Sequence, residues 1–194
     1  LAAWQITKLL DSDPHPRNGS ILRLLAETGI RRSELAALDV SDLLAGQFLI
    51  VVRRGKGGKM RMLPLTSTLR RELEELTAGR SNGAMFASRA GSRLSVRQIN
   101  RIIAQAGRRA GITSPNPRHN QITCHLLRHS FARLWKENGG SIETLSKILG
   151  HASIKTTMDV YGTESLADVQ KNYAVTIKRI TRSTTGSSHT GGHE

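Results

Sequence analysis

The segments QFLIVVR and KMRMLPL, residues 47–53 and 59–65, are the one place where the chain reads as paired strands. Each is a short apolar run that suits a pleated, half-buried surface, and the intervening RGKGG supplies the glycines that a tight reversal needs. Such a reversal presents Lys56 at a hairpin tip. With strand pattern confined to this hairpin, the core has to come from helices. The expected fold class is therefore α+β, mainly helical, with a small antiparallel β-sheet.

The helical spacing is legible along the rest of the chain. Ile6, Leu9 and Leu10 predict a short opening helix, and DSDPHPRNGS, rich in breakers, predicts a loop. Ile21, Leu22, Leu24 and Leu25 line a second helix that Gly29 is placed to end. Helical spacing resumes at Ser33 in SELAALDVSDL, which leaves Arg31 and Arg32 at a joint between two helices. Further helices are predicted near 67–77 and near 95–109, where Val96, Ile99, Ile103 and Ala106 recur at helical spacing. After a loop at TSPNPRHNQ come helices near 125–138, 141–149 and 153–160, the last leading to Tyr161. Leu166, Val169, Tyr173, Ile177 and Ile180 form a final amphipathic stripe. One domain over residues 1–182 is expected, with the polar Gly-, Ser- and Thr-rich residues 183–194 as a disordered tail.

Charge narrows the partner. Lys and Arg number 29 against 15 acidic residues, a formal charge of +14, which favours a polyanion. Aromatic residues make up only 4%, too few for a single-strand binder built on base stacking, so double-stranded DNA contacted through its backbone fits better. A ribosome-associated protein or a plain transcription regulator would be equally basic, so charge alone does not separate binding from chemistry. No stretch approaches the roughly 18 apolar residues of a membrane span, and LAAWQITKLL lacks the basic region and cleavage site of a signal peptide. A cytoplasmic protein with no membrane partner is expected. Cys124 is the only cysteine, which removes an internal disulfide or a Cys-based zinc site and leaves it a packing role. The chain opens on Leu1 rather than methionine, so a preceding N-terminal portion is expected.

CHLLRHSFARL, residues 124–134, gathers polar groups on one helix face, because His125, Arg128 and His129 are three and four residues apart. Leu127, Phe131 and Leu134 follow the apolar stripe instead. An arginine and a histidine at a helix start can bind an anion through charge-assisted hydrogen bonds and the positive end of the helix dipole. Taken alone, the same pattern also reads as a solvated face or a capping network.

Other local patterns accompany it. TGIRRSEL carries Arg31 and Glu34, RGKGGKMRMLPL carries Lys56, and ILGHASIKTTMDVY carries His151 and, ten residues on, Tyr161. In this order and these contexts, Arg31, Lys56, His125, Arg128, His151 and Tyr161 resemble the tyrosine recombinase (phage integrase) family, from about Leu1 to about Arg182. The resemblance implies the tyrosine recombinase catalytic-domain fold. It further implies that Arg31, His125 and Arg128 surround a scissile phosphate, that Lys56 acts as an acid, that His151 assists and that Tyr161 is the nucleophile. Glu34 matches the family's acidic supporting residue and His129 a structural histidine. The expected activity is site-specific DNA strand exchange through a 3′-phosphotyrosine, by a homo-tetramer on DNA that passes its C-terminal helix between protomers, a monomer being possible without DNA. A type IB topoisomerase-like nicking and closing enzyme, or a DNA-binding regulator without catalysis, are the alternatives.

The residue types suit that chemistry. Attack on a phosphodiester adds negative charge to two non-bridging oxygens, which fixed guanidiniums can bind in pairs of hydrogen bonds. A tyrosine must lose its proton to attack, which neighbouring cations favour, and covalent attachment conserves the bond energy, so no ATP is needed. Competing assignments remain at this point. Arg32 stands beside Arg31, Lys59 beside Lys56, and Tyr173 is a second tyrosine, though its place in the last apolar stripe makes it core or interface. GKGGK lacks the ending of a nucleotide-binding loop. His125 and His151 lack carboxylate or cysteine companions for a metal, so neither metal nor cofactor is expected. The sequence departs from many relatives in having Cys124 where proline is common and in the ten-residue interval from His151 to Tyr161. A DNA-clamping N-terminal domain, usual in the family, is not within these 194 residues.

Overall fold

Pro16 begins the second helix. In the computed structural model, which describes residues 1–53, 60–115, 120–150 and 165–185, α1 spans Ala3–Leu10 and α2 spans Pro16–Thr28. The segment expected as one loop through Ser20 is thus helical from Pro16 onward. Proline stands at the first helical position, where its missing N–H is not needed and its fixed φ fits. Gly29 ends α2 in the left-handed region, at φ 61°, as the spacing predicts. Any other residue would be strained at this φ, and its Cβ, 2.8 Å from Leu149 and 2.9 Å from Phe131, would force those side chains to shift.

Helix α3, Arg32–Ala37, is shorter than its apolar spacing suggests. Leu38 is extended, Asp39 bridges to Ala84, and a short 3₁₀ turn over Val40–Asp42 follows. The cause is a competing set of bonds: Val40 N–H donates to the Gly83 carbonyl, and the Asp42 carboxylate accepts from the Asp39 N–H at 2.9 Å. The chain then forms three antiparallel strands in the order β1 (Leu43–Leu44), β2 (Leu49–Val52), β3 (Arg61–Pro64). The predicted hairpin is the β2–β3 pair, with Ile50 opposite Leu63 and Val52 opposite Arg61. The two-residue β1 is too short to announce itself in the sequence. The hairpin tip with Lys56 lies outside the described residues.

Helices α4 (Ser67–Thr77) and α5 (Val96–Arg109) fall where the periodicity places them, capped by Thr66 and Ser95. Helix α6 spans Cys124–Glu137 with Thr123 as its cap, and α7 spans Ile142–Leu149. Helix α8 runs Leu166–Thr185, three residues past the boundary expected for a disordered tail. The predicted helix near 153–160, part of the loop before α6 and the end of the tail lie outside the described residues.

The core is built by α2 and α6 at its centre, with Leu22, Leu25, Leu127 and Phe131 fully or almost fully buried, and by Leu63, Leu69 and Ile103 from the surrounding elements. Helix α8 closes one side. Its Val169, Tyr173 and Ile177 are buried, and the Tyr173 ring stacks on Trp135 with centroids 6.3 Å apart. The stripe that suits an exchange between protomers therefore packs on its own domain in the single chain, while Leu166 at its start stays exposed. Among the described residues no helix is long and apolar enough to cross a membrane.

Candidate active site

Arg31 sits at the N-cap of α3, where the left-handed Gly29 turns the chain out of α2. Its backbone N–H donates to Glu34 Oε2 and its Nη1 to Glu34 Oε1, both at 3.0 Å, so one carboxylate fixes both ends of the residue. Burial alone would raise the Glu34 carboxyl, but hydrogen bonds from Arg61 and Arg31 outweigh it and hold it below the ordinary carboxylate value. Glu34 thus pairs with both Arg31 and Arg61.

Arg128 comes to the same place from the second turn of α6. Its Nη1 donates to the Gly29 carbonyl at 2.6 Å and its Nη2 to the Leu149 carbonyl at 2.9 Å. Burial, then the charges of Arg31 and Arg61, push Arg128 down to about 10, with Glu34 opposing, so it remains cationic at neutral pH. The end of α7 organises the whole group. Three successive carbonyls, of Ile148, Leu149 and Gly150, accept from Arg61, Arg128 and Arg31 at 2.9, 2.9 and 3.1 Å. Carbonyls at a helix C-terminus have no partner within the helix and carry the negative end of its dipole, which suits cationic donors.

Arg61, in β3, was not among the residues singled out in the sequence. Its guanidinium meets Glu34 in two parallel bonds of 2.8 and 2.7 Å, and it is largely buried. The site thus gathers three guanidiniums around one carboxylate, Glu34, an excess of positive charge that an anion would balance. Each guanidinium has five N–H donors, so Arg31 and Arg128 keep donors beyond the bonds described.

His125 and His129 are exposed on α6, with Nε2 atoms 2.8 Å apart and rings nearly perpendicular. One ring nitrogen donates and the other accepts, according to the tautomers. Burial, then His125 and Arg128, lower the His129 pKa and favour its neutral form. A cleft of about 680 Å³ opens beside these residues, lined among others by Arg31, Arg32, Asn100, Thr123, His125 and Arg128. Cys124 is buried at its edge and points its thiol at Asn100, a packing role as expected. The structure therefore brings together Arg31, Glu34, His125, Arg128 and His129, whereas Lys56, His151 and Tyr161 lie outside the described residues. Tyr173 is removed from the cleft and buried in the core. Among the described residues no three His, Cys, Asp or Glu side chains are grouped to hold a metal ion.

Comparison with known proteins agrees with this geometry. The model of the phage integrase family matches residues 1–166. Tyrosine recombinase XerD of Mycobacterium tuberculosis is 37% identical over 150 residues, which cover 73% of this chain and 46% of that protein. The crystal structure of XerA recombinase superposes with a TM-score of 0.69 at 30% identity, over 90% of this chain and 63% of the other. A XerH site-specific recombinase bound to its difH substrate has the same fold, with a TM-score of 0.65 at 24% identity over 90% of this chain and 49% of the other. The chain spans about half the length of the curated relatives it matches. With the family model matching residues 1–166 and relatives of this identity and fold, the chain belongs to the phage integrase family.

Proposed function

We propose that the chain is the catalytic part of a site-specific DNA recombinase that cleaves and rejoins strands through a 3′-phosphotyrosine. The observation that carries this reading is the placement of Arg31 and Arg128, both held by backbone carbonyls and both lining one cleft. Donors fixed before the reaction stabilise a charged transition state without reorganising, and two guanidiniums match the charge that develops on a phosphodiester under attack. His125 stands beside them as a third donor. Tyr161 attacks, Lys56 protonates the departing 5′ oxygen, and His151, next in sequence to the Gly150 carbonyl that Arg31 grips, assists. The recombinase name of the relatives favours strand exchange over simple nicking and closing.

Duplex DNA is supported by the surface as well as by the charge. Arg97, Arg101 and Arg108 are exposed at helical spacing on α5, and none is in an ion pair with a carboxylate among the described residues. Asn100 and Ala104, on the adjoining face of α5, line the cleft, and Arg32 is exposed across it. Such a ridge suits a phosphate backbone. On DNA the assembly is a tetramer joined by exchange of the C-terminal helix. The buried stripe of α8 already fills its own chain's core, so exchange would reuse the same contacts in a neighbour, in the manner of a domain swap, and without DNA the monomer is self-contained. The test is incubation with a nicked suicide duplex taken from the DNA flanking the coding locus. A denaturation-resistant protein–DNA adduct is expected, and its absence on every such substrate would refute the reading.

A further inference from the structure

Arg61 makes three bonds that connect three parts of the site. Two go to the Glu34 carboxylate in α3, at 2.8 and 2.7 Å, and the third goes from Nε to the Ile148 carbonyl at the end of α7, at 2.9 Å. Its own backbone belongs to β3, the strand that leads out of the hairpin carrying Lys56. Glu34 in turn holds Arg31 by both its backbone N–H and its guanidinium. The packing around Arg61 leaves no slack, since a Cβ on Gly150 would come within 3.0 Å of Arg61 Cδ, and Gly150 is left-handed at φ 62°.

From this geometry we infer that Arg61 is a positioning residue for strand cleavage, setting the angle of the Arg31 guanidinium through Glu34 while locking β3 to the end of α7. The inference rests on the functional reading above. Arg61 does not reach the phosphate; it acts through the carboxylate. The fork of a guanidinium is what the task requires, because a lysine ammonium at the same place keeps the charge but cannot span both carboxylate oxygens and the Ile148 carbonyl. A residue that contributed only positive potential would tolerate that exchange. A residue that positions would not.

The test uses the full chain with Arg61→Lys, Glu34→Gln and the double variant, each verified as folded by circular dichroism and melting. Inorganic tungstate, titrated calorimetrically, probes the arginine pair without any reaction. Single-turnover adduct formation on the suicide duplex probes cleavage. Arg61→Lys should weaken tungstate binding and slow adduct formation at saturating DNA by about tenfold or more, with half-saturation by DNA unchanged within about twofold. Because Arg61 acts through Glu34, the double variant should lose no more than the worse single variant. Wild-type tungstate affinity and cleavage in Arg61→Lys, or fully additive losses, would overturn the inference. If Arg61→Lys does not fold, Arg61→Gln takes its place in the same cycle. If the wild-type chain binds tungstate but forms no adduct, it is the recombinase reading that fails, and the tungstate cycle alone decides the role of Arg61; a wild-type chain that binds no tungstate overturns both.

Discussion

Arg128 and Leu149 are joined by a hydrogen bond of 2.9 Å, from a guanidinium nitrogen on α6 to a carbonyl oxygen at the end of α7. Leu149 also packs its side chain where a Cβ on Gly29 would have to go. The same residue therefore fixes the close approach of α2 and the direction of Arg128. An arginine held by backbone keeps its geometry without help from a ligand, and that is the property the proposed phosphate site would need.

Arg31→Ala and Arg128→Ala should each slow adduct formation by more than about a hundredfold, the scale seen when one preorganised donor is removed. On the proposed reading the arginines take the place of a metal in balancing the developing charge, so the wild-type rate should be the same in EDTA. Measuring single-turnover cleavage with and without the chelator checks both points, and activity that returns only with added magnesium would contradict the second.

Glu34 gives the site a signature in acid. Its folded pKa is depressed, so the stability it contributes is present above the unfolded pKa and is lost as pH falls through the folded value. Glu34→Gln leaves two arginines without their carboxylate and should cost on the order of 3 kcal/mol near neutral pH. Melting temperatures of the two proteins should differ at pH 7 and draw together below the ordinary carboxylate range. Parallel curves down to pH 3 would show that Glu34 is not ion-paired as described.

DNA affinity should be steeply salt-dependent, because the arginine ridge on α5 gains its energy from counterion release. Replacing Arg97 and Arg101 together by alanine should lower the slope of log K against log salt by about 2, nearly independently of sequence. Fluorescence anisotropy over a salt series on two unrelated duplexes measures it. An unchanged slope would move the backbone contacts elsewhere.

Removing residues 165–194 should unfold the domain or lower its melting point severely. Val169, Tyr173 and Ile177 are buried in it, and burying side chains of this size contributes roughly 1.5–3 kcal/mol each. Their sum is comparable to the whole stability of a typical domain. A truncated chain that melts like the parent would mean that α8 normally docks on a neighbour rather than at home.

How much of this was legible in the sequence follows the range of the signals. Helical periodicity located α4, α5, α6 and α7 closely, and the spacing of His125, Arg128 and His129 put them on one face, because these are properties of neighbours along one helix. Pro16 misled, since the same residue breaks a helix interior and starts a helix end. Arg61 passed unnoticed because an arginine within a short alternating strand reads as a solvent-facing residue; its partners Glu34 and Ile148 lie 27 and 87 residues away. The three carbonyls that orient the arginines could not be read at all. A backbone carbonyl has no residue identity, and only the fold assigns it a partner.

Covalent joining of Tyr161 to DNA is read most plainly by mass spectrometry of the proteolysed adduct trapped on the suicide duplex. A nucleotide remnant is expected on the peptide carrying Tyr161, with no adduct from Tyr161→Phe despite near-parental DNA binding, and normal adduct from Tyr173→Phe. The latter change only removes a buried hydroxyl that has no hydrogen-bond partner among the described residues. A remnant on any other residue, or an adduct that survives Tyr161→Phe and vanishes with Tyr173→Phe, would contradict it.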